Sequence, residues 1–349
     1  MSDSGYGLLE RLLHRLALQS ASIAEMSFEL DQKTVRTDPA GIRNQRHVFV
    51  SGMARAGTTV LMRRFHNTGR YRSLTYRDMP FVLAPNLWQR LTALSKHDME
   101  HVERAHGDKL LVNIDSPESL DEVFWRIFTG QEYINNKILT PYKPAAKIIN
   151  KFVHYVNAIL STHSPRCNRY LSKNNNNILR LGSIHQAFPN ALILIPFREP
   201  QQHAHSLLRQ HGRFSELQTE SEFTLSYMNW LCHHEFGLDH RPILPKEVAA
   251  PPYPTDTLDY WLQLWCETYS WLEHSKPEAA LFVCYEDLCV HNANWDRLAE
   301  LADISAENET DISFESSNKS IDFNADQQIA DRAAAIYERL VTLARDRLS

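Results

Sequence analysis

The sequence predicts an α/β protein in three layers, a parallel β-sheet flanked by helices on both faces. Three observations carry that expectation. Short apolar runs alternate with helical periodicities along the chain, at His47–Ser51, Ala191–Phe197 and Leu281–Cys284. Strands separated by helices pair in parallel, because a crossover returns the chain in the same direction. And 349 residues with 43% hydrophobic content are enough to bury a sizeable core.

The elements follow in order. Residues 8–18 (LLERLLHRLAL) repeat leucine at helical spacing and predict an amphipathic helix flanking the core. His47–Ser51 predicts a buried strand that runs through a glycine-bounded loop, Gly52–Thr59, into a helix. A strand and a turn at Pro80 are expected within 71–84, a helix over 117–128 with Pro117 in its first turn, and another over 145–162. Arg169–Ser172 predicts a strand, 178–187 a helix, and Phe188-Pro189-Asn190 a turn into the strand Ala191–Phe197. Helices follow over 200–211, opened by Pro200, over 221–240 and over 256–274. The last carries Trp261, Trp265 and Tyr269 on one side, an aromatic stripe expected in the core rather than around a ligand. A strand at Leu281–Cys284 and helices near 293–302 and 326–347 complete the chain. One domain over 1–349 is expected, with a mostly helical insertion at about 80–165.

Composition excludes several classes. Lys+Arg 37 against Asp+Glu 42 leaves a formal charge of −5, against the basic excess of a nucleic-acid binder that works by bulk charge. Hydrophobic and charged fractions near the globular average exclude wholesale disorder and collagen. Five cysteines, an odd number with no CxxC pair, favour reduced thiols and a cytoplasmic location. The longest apolar run, Ala191–Phe197, is far short of the ~20 residues of a transmembrane helix.

Ligands of parallel sheets bind at the carboxyl ends of the strands. Three polar segments end strands, 52–59, 172–175 and 198–206, and are expected to meet at one rim. The first, Gly52-Met-Ala-Arg-Ala-Gly57-Thr58-Thr59, fits the frame G-x-x-x-x-G-x-[ST]. Small residues there let backbone N–H groups converge on an anion, and the helix start adds a positive dipole end. A nucleoside-triphosphate loop carries lysine where this chain has Thr58, and the cation here is Arg55, inside the loop. An ordinary strand–turn–helix corner is the plain alternative. In the third segment Arg198 ends a strand, Glu199-Pro200 starts a helix, and Ser206 follows two turns on, a guanidinium and a hydroxyl suited to phosphate.

The two segments together resemble the sulfotransferase family, whose donor is 3′-phosphoadenosine 5′-phosphosulfate. Tyr170-Leu-Ser-Lys173 through Phe188-Pro189-Asn190-Ala191 is similar to the family's segment before the arginine strand, and Val283-Cys284-Tyr285-Glu286-Asp287-Leu288 to its later tyrosine segment. The resemblance covers about 47–320 and implies a P-loop NTPase-like sulfotransferase fold. It implies that Gly52, Arg55, Ala56, Gly57, Thr58 and Thr59 hold the 5′-phosphosulfate, Arg198 and Ser206 the 3′-phosphate, and that Tyr285 lies against the adenine. Ala54 and Ala56 replace residues that are commonly proline and serine, and Asn175 stands where cytosolic relatives carry a catalytic histidine. The chain looks closer to the tyrosylprotein- and carbohydrate-type branch, in which a carboxylate comes from the segment after the first helix.

Sulfuryl transfer builds charge on the oxygen bridging sulfur and phosphorus, and Arg55 and Lys173 are the candidate cations. Its position after a strand favours that role for Lys173 over the plain alternative, a solvated turn lysine before the asparagine run. Asp78 is the first candidate for the general base, though it could instead pair with Arg77 or Arg72 or cap a turn; Asp115, Glu118 and His106 are the alternatives. Ser316, Ser317 and Lys319 lie in a polar loop that reaches the donor in related proteins or is simply solvated. No metal is expected: Cys232, His233, His234, Asp239 and His240 lack ligand spacing. His203 and His205 read as surface or donor-adjacent residues. The acceptor, a hydroxyl or amine, is expected on a glycan or glycolipid, against a wall and lid from 80–165 with Phe81, Trp88, Phe124, Trp125 and Tyr133. A nucleotide kinase or NTPase with an altered loop, or a non-catalytic nucleotide-binding scaffold, are the competing readings.

Overall fold

A computed structural model describes residues 8–35, 38–93, 102–103, 111–112, 120–162, 167–290, 292–304, 313–315 and 325–348. Its strands are β1 (Val48–Val50), β2 (Tyr71–Arg72), β3 (Val102–Glu103), β4 (Leu111–Val112), β5 (Arg169–Lys173), β6 (Leu192–Phe197) and β7 (Ala280–Cys284). Five of them form one sheet in the order β2-β5-β1-β6-β7, every neighbouring pair parallel. β3 and β4 form a separate antiparallel ribbon. The expected class and its flanked parallel sheet are therefore present.

The sheet is apolar on both faces because successive side chains of a strand point to opposite sides. Phe49, Ile193, Ile195, Phe197 and Phe282 face one core, and Val48, Val50, Leu171, Leu194 and Val283 face the other. On the first face pack the helices Glu122–Tyr133, Ala146–Ser161, Pro200–Glu220, Leu258–Ser275 and Gln327–Leu348. On the second lie Leu61, Met62 and Phe65 of Thr58–Asn67 and Trp295 and Leu298 of Asn292–Leu301. Continuous apolar runs such as LILIPF, buried at every position, are what a central parallel strand requires.

The expected stripe on Leu258–Ser275 is core: Trp261, Trp265 and Tyr269 are all buried. Within the 80–165 span, Phe124 and Trp125 of one helix and Phe152 and Tyr155 of another are fully buried in the main core. Phe124 stacks on Tyr155 at 5.2 Å between centroids. Two helices of that span thus cover the sheet, and the helix Pro85–Thr92 lies nearer the surface.

Some boundaries differ. The helix expected over 200–211 runs on to Glu220, and the one expected over 221–240 ends at Trp230. Cys232 (φ 59°) and Gly237 (φ 87°) take left-handed conformations there, which turn the chain out of the helix. The helix expected from 178 is preceded by a 3-10 turn over Asn175–Arg180, because Asn174 accepts from the Asn176 amide and starts the turn early. Among the described residues no helix is long and apolar enough to cross a membrane.

Candidate functional site

The carboxyl end of β1 delivers the chain into the glycine loop. The Ser51 amide still bonds β6, donating to the Leu194 carbonyl at 2.8 Å. Gly52 then passes so close to β6 that a Cβ would sit 2.8 Å from the Pro196 oxygen. Arg55 (φ 69°) and Gly57 (φ 83°) are both left-handed. Such alternation in a turn directs successive amides into one concavity, an anion nest. For a non-glycine residue the conformation costs about 1–2 kcal/mol, and Arg55 holds it while its Nε donates to the Ser206 hydroxyl at 3.3 Å. Gly57 is the N-cap of Thr58–Asn67 and has no side chain to satisfy the first amides of that helix. Thr58 is buried and Thr59 half-buried in that first turn.

Each wall of the loop comes from a distant segment. Tyr285, just beyond β7, lies against Gly57: a Cβ there would meet ring carbons at 2.3 and 2.4 Å. The Arg198 guanidinium stands 5.9 Å from the centroid of the same ring. The Tyr285 hydroxyl donates to the Glu315 carbonyl at 3.1 Å. Glu199 caps the helix Pro200–Glu220, accepting from the amides of Gln201 and Gln202, while its own amide donates to Glu286. Three segments far apart in sequence, carrying Arg55, Arg198 with Ser206, and Tyr285, are thereby brought together. Two arginines, a hydroxyl and amides in a cradle that only glycine fits are a donor set for phosphate-type anions.

The loop also has a support that the sequence did not announce. His203 is fully buried rather than on the surface. Its Nδ1 accepts from the Trp265 indole at 3.1 Å, which leaves Nε2–H to donate to the Ala54 carbonyl at 2.7 Å. Burial pushes its pKa down to about 3, and Arg198 and Arg55 add to the effect. A neutral imidazole can thus stand beside two guanidinium groups and hold the loop backbone. The helical spacing of Pro200 and His203 held a hint, but the indole partner comes from a helix 62 residues on.

β5 ends alongside β1, with Lys173 opposite Val50 and buried. The asparagines after it enter a buried polar cluster rather than solvent. Asp121 accepts from Tyr170, Ser172 and Asn174. Glu122 accepts from Tyr133, Asn174 and both terminal nitrogens of Arg180. Burial, with the Glu122 charge alongside, pushes Asp121 up to about 6 despite the hydroxyls it accepts from.

Asp78 is found in one of the structural roles left open. Its Oδ1 pairs with Arg72 at 2.5 Å, and its Oδ2 accepts from the Thr75 amide at 2.7 Å and hydroxyl at 3.2 Å. It closes a capping box on the turn Tyr76–Asp78 at the edge of the sheet. There it borders a cavity of about 520 Å³, lined also by His66, Arg72, Thr75, Arg77 and Trp88.

A carboxylate outside the candidate set lies closer to the loop. Glu235 accepts from the Asn175 amide group at 2.9 Å and faces His233 Nδ1 at 3.6 Å. Burial works to raise this carboxyl, but the hydrogen bonds from His233 and Asn175 outweigh it and hold it well below the usual carboxylate range. Asn175 and Glu235 line a cavity of about 40 Å³ together with Met53 and Ala54 of the loop. The one signal for it in the sequence was Asn175 in the place of a histidine. The metal-like cluster dissolves: His234 bonds Asp239, His240 bonds Tyr260, and among the described residues no group could hold a metal. His106, Asp115, Glu118, Ser316, Ser317 and Lys319 lie outside the described residues.

The sulfotransferase family's sequence model matches residues 47–304. Among solved structures, the chain is similar to sulfotransferase STF1 from Mycobacterium tuberculosis, at 12% identity, over 98% of this chain and 88% of that one, with TM-score 0.46. It is similar also to sulfotransferase STF9 from Mycobacterium avium, at 14% identity over 97% and 79%, with TM-score 0.44. A third is a sulfotransferase from Alicyclobacillus acidocaldarius, at 12% identity over 86% and 96%, with TM-score 0.39. No curated protein sequence matches.

Proposed function

The chain belongs to the sulfotransferase family, and on that premise we propose that it moves a sulfuryl group from 3′-phosphoadenosine 5′-phosphosulfate to a hydroxyl or amine acceptor. The observation that carries this reading is the contact of Arg55 with Ser206, which joins the glycine loop to the helix that follows Arg198. In this reading the amides of Gly52–Thr59, with Arg55, Ala56, Gly57, Thr58 and Thr59, take the 5′-phosphosulfate. Arg198 and Ser206 take the 3′-phosphate, and the ring of Tyr285 takes the adenine. Lys173, opposite the end of β1, and Arg55 are the cations that stabilise charge on the bridging oxygen as it leaves. The donor supplies an activated sulfuryl group; the protein supplies position and charge.

For the acceptor we favour a glycan or glycolipid. The cavity beside Asp78 is lined by Trp88 together with Arg72, Thr75 and Gln89, and an aromatic side chain and hydrogen-bonding groups in one cavity suit a sugar ring and its hydroxyls. All five cysteines are free thiols, which suits a cytoplasmic location.

Calorimetry with 3′-phosphoadenosine 5′-phosphate, beside ATP with Mg²⁺, tests the donor. Tight binding of the bisphosphate alone is expected. Binding of ATP and not of the bisphosphate would overturn the assignment of Arg198 and Ser206.

A further inference from the structure

Resting on the assignment of Arg198 and Ser206 to the 3′-phosphate, we propose that Glu286, held by Tyr337 of the last helix, is the positioning residue that sets Arg198 for that phosphate. The ladder between β6 and β7 ends with Phe197 opposite Cys284. One residue beyond each strand stand Arg198 and Tyr285, whose guanidinium and ring are 5.9 Å apart. The next rung is Glu199 and Glu286, and a side chain makes it: the Glu199 amide donates to Glu286 Oε1 at 3.0 Å. Pro200 carries no N–H, so this amide is the only backbone donor between Arg198 and Gln201. A guanidinium that meets a phosphate through two parallel N–H groups needs a fixed direction. The bond to Glu286 fixes the backbone that follows it.

Glu286 is fixed in turn. Its Oε2 accepts from the Tyr337 hydroxyl at 3.1 Å and from the Cys284 thiol at 3.5 Å. Burial pushes that thiol up to about 12, so it keeps the proton it donates. The Tyr337 ring meets Phe197 edge-on, at 5.7 Å between centroids. Tyr337 therefore holds the residue before Arg198 through its ring and the residue after it through Glu286. Two turns further along the helix Gln327–Leu348, Arg345 pairs with Asp287 at 2.8 Å. One helix, well beyond the motif-bearing part of the chain, thus grips the segment Tyr285–Asp287 at two points. A carboxylate repels a phosphate, so Glu286 acts through Arg198 and not on the donor itself.

Calorimetry on the full-length chain tests this with two ligands, 3′-phosphoadenosine 5′-phosphate and adenosine 5′-phosphate, which differ only in the 3′-phosphate. Glu286→Ala should lower the ratio of the two affinities about tenfold, no more than the loss expected for Arg198→Ala. Glu286→Gln should restore the ratio to within about threefold of wild type, because its carbonyl accepts from the Glu199 amide and its NH₂ donates to the Tyr337 oxygen. Tyr337→Phe removes one oxygen from an otherwise unchanged ring and should lower the ratio about threefold; it decides the matter if Glu286→Ala does not fold. A merely structural role would lower the unfolding free energy and leave the ratio alone, so an unchanged ratio overturns the proposal. Should adenosine 5′-phosphate bind the wild type too weakly to measure, bisphosphate affinity within about twofold of wild type in these variants overturns it. Failure of the wild-type protein to bind the bisphosphate would instead strike the donor reading on which the proposal rests.

Discussion

Gly57→Ala tests the most tightly built contact in the site. The new methyl would lie 2.3 Å from a ring carbon of Tyr285, and the residue would have to keep φ 83°. The backbone conformation costs about 1–2 kcal/mol for alanine. Overpacking against a buried ring adds about 1–3 kcal/mol, because Tyr285 is itself held by its bond to Glu315 and by edge contact with Phe314 at 6.2 Å. The total is roughly 2–5 kcal/mol of lost stability. A double-mutant cycle separates the two parts. In a Tyr285→Ala background the ring is gone and only the backbone part remains, so the coupling should be about 1–3 kcal/mol. Urea unfolding of the four proteins, followed by tryptophan fluorescence, measures it. A coupling under about 0.5 kcal/mol would refute the claim that the ring rests on the loop.

Three further outcomes follow from the same geometry. Arg198→Ala should weaken bisphosphate binding by roughly 10- to 150-fold, the worth of a charged hydrogen-bonding group at about 1.5–3 kcal/mol, and calorimetry with unchanged affinity would remove Arg198 from the site. Asp78→Ala leaves Arg72 buried without its carboxylate and should cost about 3–5 kcal/mol in urea unfolding; if Asp78→Asn instead kept full stability and abolished transfer, Asp78 would return as the base. His203 is held neutral, so its folded pKa, about 3, lies below the ordinary 6.5. Its contribution is present above pH 6.5 and is lost as pH falls toward the folded value, about 2 kcal/mol by pH 5. The drop in unfolding free energy from pH 7 to pH 5 should therefore shrink by about that amount in His203→Gln, and an equal drop in both proteins would contradict it.

Much of the fold was legible because its signals are local. The runs HVFVS and ALILIPF became β1 and β6, since a parallel strand buried on both faces needs apolar residues at every position. Glycines at 52 and 57 mark backbone that no side chain can occupy, and the structure shows Pro196 and Tyr285 as the reason. The limits of the helices were less legible. Whether the chain continues past Trp230 depends on the left-handed turn at Cys232 and on Gly237 passing against Gln218, whose side chain accepts from the Leu238 amide.

The roles of polar residues divided along the same line. Arg55, Arg198, Ser206 and Tyr285 could be named from motifs through the family resemblance, and the structure gathers them around the glycine loop. Asp78 carried the same local signature as a base, a carboxylate after the first helix, and only its contacts with Arg72 and Thr75 distinguish a brace from a proton acceptor. His203 and Trp265, or Asn175 and Glu235, are pairs with no mark of partnership in sequence, for they meet across 62 and 60 residues. By itself, then, the sequence determined the layered parallel sheet, written in short-range periodicity, and the strand–glycine loop–helix unit and its companion motifs, whose resemblance pointed to the family. Which histidine supports the loop, which carboxylate is already spent and which one faces it were decided by tertiary packing, because burial and hydrogen-bond partnership belong to pairs of segments and not to either one alone.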